Sequence, residues 1–212
     1  MTCSLHRPPV HAVLKTLHAA AEVVDPPLLA QLEGKGEAER TALFDQAFIP
    51  VAPDAGRLLY VLARGAKPGT IVEFGTSFGI STIYLAAAAR DRGDGRVITT
   101  ELHSGKAEKA RQHLKQADLL SLVDVRVGDA LETLKGLESG VSLVFLDGWK
   151  ELYLPVLRLL EPSLQPGALV VADDLDLFPD ALASYLAYVR DPANGYASVT
   201  VPIGDAMELS TR

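Results

Sequence analysis

The chain has 212 residues, 48% of them hydrophobic and 22% charged, which suits one sizeable globular core and leaves little for a second. A formal net charge of -7 excludes a global basic field for nucleic acid or anionic membrane, and no apolar run reaches the ~18 residues of a membrane span. The single cysteine, Cys3, excludes an internal disulfide and fits a reducing compartment; with no secretory apolar segment at the start, the cytoplasm is the expected location.

Residues 1–9 are polar, carry Pro8-Pro9 and read as a loose tail. Val10, Val13, Leu14, Leu17, Ala20, Ala21 and Val24 recur at helical spacing and predict a helix that stops at Asp25-Pro26-Pro27. A short helix over Leu28–Leu32 and a third over Glu37–Phe48 follow. His11 and His18 share a helix face with no third ligand nearby and read as surface or packing histidines. Residues 1–50 thus form a helical extension of the same domain, a cap or a homodimer contact, ahead of an α/β unit over 51–212.

Pro53-Asp54-Ala55-Gly56-Arg57 opens the next helix, which runs to about Ala66. Strands then alternate with helices: strands at Ile71–Phe74, Val97–Glu101, Val123–Val127, Ser142–Leu146 and Ala168–Ala172, helices at Ile80–Arg90, Ser104–Gln116, Ala130–Lys135, Glu151–Leu160 and Pro179–Arg190. The strands are near-continuous Val/Ile/Leu runs, as a parallel sheet buried on both faces requires. Tyr196–Val201 and Ala206–Thr211, around Pro202-Ile203-Gly204-Asp205, read as a terminal hairpin that adds one antiparallel strand at the sheet edge. The expected fold is a doubly wound, mostly parallel α/β sheet of seven strands with extra N-terminal helices.

In such a sheet ligands sit beyond the C-terminal ends of the strands. The first strand carries Glu73 just before its last residue, Phe74, and runs into Gly75-Thr76-Ser77-Phe78-Gly79-Ile80-Ser81, a glycine turn that opens a helix. The spacing Gly-x-x-x-Gly lacks the third glycine of the dinucleotide fingerprint, and Glu73 would repel a phosphate, so a nicotinamide oxidoreductase is the weaker alternative. The second strand ends in Glu101, placed for ribose hydroxyls, followed by Leu102 and His103. The third delivers Asp129 and Ala130, the fourth Asp147, Trp149 and Lys150, the fifth Asp173 and Asp174. A nucleoside joined to a cationic amino acid satisfies this set, and S-adenosylmethionine is that ligand. Glu73 would lie near its amino end, the helix start at Ser81 near its carboxylate, and Trp149 against its flat or cationic parts.

Val72-Glu73-Phe74-Gly75-Thr76-Ser77-Phe78-Gly79, Phe145-Leu146-Asp147-Gly148-Trp149-Lys150-Glu151-Leu152-Tyr153 and Ala172-Asp173-Asp174 carry a resemblance to the class I S-adenosylmethionine-dependent methyltransferases. Within these the chain resembles the catechol and caffeoyl-CoA O-methyltransferase family from about Pro50 onward. The resemblance implies a Rossmann-like methyltransferase fold and a small phenolic acceptor with adjacent oxygens. It further implies homodimers, a divalent ion (Mg²⁺, Mn²⁺ or Ca²⁺) on Asp147, Asp173 and Asp174, and Lys150 as general base. The family usually has Asp-Asn where this chain has Asp173-Asp174. Oxygen donors without a cysteine cluster suit such hard cations. A metal-independent methyltransferase on another small molecule, and a module that binds the methyl donor without catalysis, are the remaining alternatives.

Overall fold

The computed structural model describes residues 3–32, 34–93 and 95–212. The expected Val/Ile/Leu runs become β1 (Thr70–Phe74), β2 (Val97–Glu101), β3 (Val123–Val127), β4 (Val141–Leu146) and β5 (Leu164–Ala172), all parallel. With β6 (Ala197–Val201) and β7 (Met207–Thr211) they form one sheet in the order β3-β2-β1-β4-β5-β7-β6. β1 is central: Val72 lies opposite Ile98 of β2 on one side and Val144 of β4 on the other.

The order reverses at β1, so the connections after β1 and β4 leave on opposite faces and open a crevice between their C-terminal ends. One face is covered by α3 (Pro53–Gly65), α4 (Ile80–Arg92) and α5 (Ser104–Gln116), the other by α6 (Ala130–Thr133), α7 (Tyr153–Leu160) and α8 (Pro179–Arg190). Strand alternation divides β1 between the two cores: Ile71 packs with α4, Val72 and Phe74 with α7 and α8.

Four expectations change. The tail expected to be loose is docked: Ser4 is buried and donates its N–H and hydroxyl to the Asp91 carboxylate at 2.7 and 2.6 Å. The antiparallel strand is not at the edge: β7 sits between β5 and β6 and pairs with both. Met207, Glu208 and Ser210 of β7 are buried, whereas β6 is mostly exposed, so the more buried strand takes the inner place. Helix α1 (Pro8–Leu29) begins earlier than expected and runs through Pro26-Pro27, taking in Leu28 and Leu29 of the expected second helix, the rest of which is not helical. The carbonyls that lose their donors there belong to Glu22 and Val23, both exposed, where water can serve them. Helix α2 (Glu37–Phe44) stops short of Phe48, and residues 45–52 run instead as an irregular strap.

The apolar stripe of α1 (Val10, Val13, Leu14, Leu17 and Ala21) is buried in the chain's own core with α3 and α4. The expected dimer contact therefore rests on the family resemblance alone. Among the described residues no helix is long and apolar enough to cross a membrane.

Candidate active site

A cavity of about 400 Å³ opens at the switch point, bounded by the turn after β1, the ends of β2 and β4, and the strap. The turn needs its glycines. Gly75 has φ 104°, and a Cβ there would overlap the Asp147 carbonyl, so only glycine lets the ends of β1 and β4 approach this closely. Gly79 (φ 86°) is the left-handed N-cap of α4, with no side chain satisfying the first N–H groups of that helix. Ile80 and Ser81, at that helix start, line the cavity and leave its amides available to an anionic group.

Glu101 closes the β2 side. Its Oε2 accepts the Ser77 N–H at 2.7 Å and its Oε1 the His103 N–H at 3.0 Å, so the carboxylate is aimed before any ligand arrives. Lys106, largely buried in the first turn of α5, donates to the Ser77 hydroxyl at 3.3 Å and also lines the cavity. Burial holds its pKa below the ordinary lysine value, with Glu101 pulling the other way.

Glu73 is placed differently from the expectation. Strand alternation turns it toward α4 with Ile71; its carboxylate accepts from the hydroxyls of Thr82 and Thr99, is fully buried and does not border the cavity. Burial pushes its pKa up to about 7 against the pull of those hydroxyls. Thr76, bonded to Thr99, lines the cavity in its place.

Beyond the β4 and β5 ends, Asp147, Asp173 and Asp174 bring carboxylate oxygens within 4.8 Å of one another. Lys150 Nζ lies 2.5 Å from Asp174 Oδ2 and 3.6 Å from Asp147 Oδ1. It also donates to the buried Tyr153 hydroxyl at 2.9 Å, which in turn donates to the Asp173 carbonyl at 3.3 Å. A one-turn spacing thus brings Lys150 back over Asp147, and Tyr153 fixes its amine. Burial raises Asp147 well above the ordinary aspartate range, Lys150 opposing and the other two aspartates adding. Burial and the Asp174 charge push Asp173 up to about 7. Asp174 has φ 67°, a left-handed conformation that Asn and Asp tolerate best among side chains with a Cβ.

The strap supplies the roof. Phe48 stacks on Phe78 at 4.3 Å, its carbonyl accepts the Ser77 hydroxyl at 3.0 Å, and Asp45 Oδ1 lies 2.9 Å from His103 Nε2. Phe44 meets Trp149 edge-on at 5.7 Å. Trp149 is 46% exposed, so one face of the indole remains free for a ligand.

Of the residues singled out in the sequence, Gly75, Thr76, Ser77, Ser81, Glu101, Leu102, Asp147, Trp149, Lys150 and Asp174 converge on this cavity, with Asp173 against it. Gly79 shapes its turn from outside the lining. Asp129 and Ala130 do not reach it: Asp129 caps α6 through the Leu131 N–H, and Ala130 is packed beneath. The strap residues, Lys106 and Phe178 escaped sequence reasoning. Phe44 and Phe48 carried a signal, but it was absorbed into a helix pattern.

A sequence-family profile described as "Methyltransferase domain" matches residues 72–175, from β1 to just past Asp174. The chain is 36% identical over 152 residues to a catechol O-methyltransferase of Mycobacterium tuberculosis, covering 71% of this chain and 66% of that one. It is 30% identical over 142 residues to the catechol O-methyltransferase of Sus scrofa, covering 64% of this chain and 74% of that one. The match therefore spans about two thirds of the length of such curated relatives, 66% in the mycobacterial case. Among solved structures, the O-methyltransferase TomG of Streptomyces achromogenes, in complex with S-adenosylmethionine, superposes with a TM-score of 0.66 at 28% identity. That alignment covers 89% of this chain and 95% of TomG.

Proposed function

The chain belongs to the S-adenosylmethionine-dependent O-methyltransferases of the catechol O-methyltransferase family, and we propose that it methylates one hydroxyl of a small phenol bearing adjacent oxygens. The balanced reaction joins the phenolic oxygen to the sulfonium methyl, breaks the sulfur–methyl bond, and releases S-adenosylhomocysteine and the phenolic proton. The single observation that carries this reading is the adjacency of Lys150 and the three aspartates to the cavity that Glu101 and the β1 turn close.

Both implied groups fit the residues present. For the donor, Glu101 offers a preset acceptor for vicinal ribose hydroxyls, the α4 start offers free N–H groups to a carboxylate, and Trp149 offers a flat face. For the cation, three clustered carboxylates already hold a positive charge, the Lys150 ammonium, between two of them.

S-adenosylmethionine would supply the electrophilic methyl. A divalent cation on Asp147, Asp173 and Asp174 would supply Lewis acidity toward a hydroxyl whose pKa is otherwise about 10. The chain's own residues do the rest. Glu101 and the β1 turn hold the donor; Trp149, Phe44 and Phe178 wall the mouth with apolar rings and exclude water; Lys150 Nζ, as the free amine once its own proton has left to solvent, is placed to take the phenolic proton. Holding both reactants in line supplies much of the rate.

The test is a methyl-transfer screen with catechols and mono-phenols, each with Mg²⁺ or Mn²⁺ and with excess chelator. Transfer to catechols that stops with chelator supports the reading. Full activity in chelator would assign the chain to the metal-independent alternative, in which Lys150 is the permanent cation of the cluster.

A further inference from the structure

We propose that the Lys150 ammonium is the resident counter-cation of the three-aspartate cluster and competes with a divalent ion for it, with Asp174 as its principal holder. This rests on the reading of the cluster as a cation site. Asp174 stands at a position where the resembled family usually has Asn. The structure shows what that charge does. The shortest carboxylate contact of Lys150 is to Asp174, at 2.5 Å, against 3.6 Å to Asp147. The lysine side chain is 10% exposed and the Asp174 side chain 14%, so water screens the pair weakly. The Tyr153 hydroxyl and the Tyr153 and Phe178 rings, 5.1 and 5.6 Å from Nζ, complete the enclosure.

Three carboxylates this close repel one another, and a cation seated among them relieves that repulsion. In an Asp-Asp-Asn site the cluster carries one charge fewer and holds an ammonium less firmly. Here the extra carboxylate has a lysine seated on it. A divalent ion that enters must take Asp174 away from Lys150, so metal loading and release of the lysine are a single exchange. Each site thereby lowers the occupancy of the other in equal measure.

Mn²⁺ binding, followed by calorimetry and by the loss of free-ion electron paramagnetic resonance signal, tests this without reference to turnover. The wild type is compared with Lys150→Met, Lys150→Gln, Lys150→Arg and Asp174→Asn, and with the double variant Lys150→Met/Asp174→Asn. S-adenosylhomocysteine binding and circular dichroism check that each is folded. Removing the competing charge should tighten Mn²⁺ binding by about tenfold or more, roughly 1.4 kcal/mol. Either neutral variant carries the test if the other does not fold. Lys150→Arg should stay near wild type, and the gain from Lys150→Met should shrink in the Asp174→Asn background. Mn²⁺ binding to the wild type with no tightening in the neutral variants would overturn the proposal and leave the metal site standing. Equal tightening in Lys150→Arg would also overturn it, because packing and not charge would be the cause. No Mn²⁺ binding by any variant would overturn the metal reading itself, and this proposal with it.

Discussion

The Asp25 carboxylate on α1 accepts the backbone N–H groups of both Phe48 and Ile49, at 2.7 and 2.8 Å. One buried side chain thus ties the N-terminal helix to the roof of the donor cavity and holds Ile49 in a positive-φ conformation (43°). An alanine at position 25 strands two amides, a loss of about 1–3 kcal/mol for each group kept from water. We expect Asp25→Ala to weaken S-adenosylhomocysteine binding by about tenfold in calorimetry. Unchanged affinity would mean that the roof holds its place without α1.

Glu101 is fixed by two backbone donors and has no side-chain cation within salt-bridge distance among the described pairs. In Glu101→Gln the amide NH₂ must face one of those N–H groups, and the charge that favours ribose hydroxyls is gone. Affinity for S-adenosylhomocysteine should fall by roughly 10- to 100-fold, since one charge-assisted hydrogen bond contributes about 1.5–3 kcal/mol. A variant that binds as the wild type does would remove Glu101 from the donor site.

Glu73 gives a pH signature. Its folded-state pKa, about 7, exceeds the ordinary value of 4.5, so the folded protein binds this proton more tightly than the unfolded chain does. The contribution is complete below about pH 4.5 and is lost as pH rises through about 7, a change of roughly 3 kcal/mol. Gln keeps the shape without the charge. Urea unfolding at pH 5 and pH 8 should therefore show Glu73→Gln gaining on the wild type by a few kcal/mol between the two. A constant difference would show that Glu73 does not change charge there.

Lys150→Ala should keep donor binding within about twofold and lower turnover by roughly 10²- to 10⁴-fold, as expected for a lost general base. Asp147→Ala should abolish Mn²⁺ binding and methyl transfer together, because a hard cation loses a charged oxygen. Single-turnover assays with saturating donor separate these outcomes. A Lys150→Ala enzyme of normal turnover would relieve Lys150 of its role as base.

What could be read from the sequence divides along physical lines. Val97–Glu101 and Val123–Val127 were legible to the residue, because β-branched residues mark both, as a continuous Val-Ile-Thr-Thr run in the buried β2 and in alternation with Asp and Arg in β3 at the sheet edge. Ser104–Gln116 and Pro179–Arg190 were equally plain from their periodicity. Asp147, Lys150, Asp173 and Asp174 were legible as strand-end acids and a nearby lysine; their mutual distances were not. Glu73 misled because its direction depends on which side of β1 faces α4, a tertiary fact. Phe48 misled because an aromatic at helical spacing looks the same whether it packs on its own helix or stacks on Phe78. Pro26-Pro27 misled because the cost of a proline in a helix depends on whether water reaches the orphaned carbonyls.

The inner position of β7 has a consequence for how the protein comes into being. Residues 175 and 176, directly after the aspartate pair, donate their N–H groups to Ala206 and Asp205, and β7 pairs with β5 along Leu169–Ala172. During synthesis the segments bearing Glu101, Asp147 and Lys150 leave the ribosome well before Met207–Thr211, the last strand in sequence. Until that strand arrives, the nascent chain exposes the unpaired edge of β5, a template for pairing with other chains. The acid cluster acquires its support only when the hairpin closes behind it, so nascent chains stalled before residue 207 should be bound by chaperones and carry no organised aspartate site.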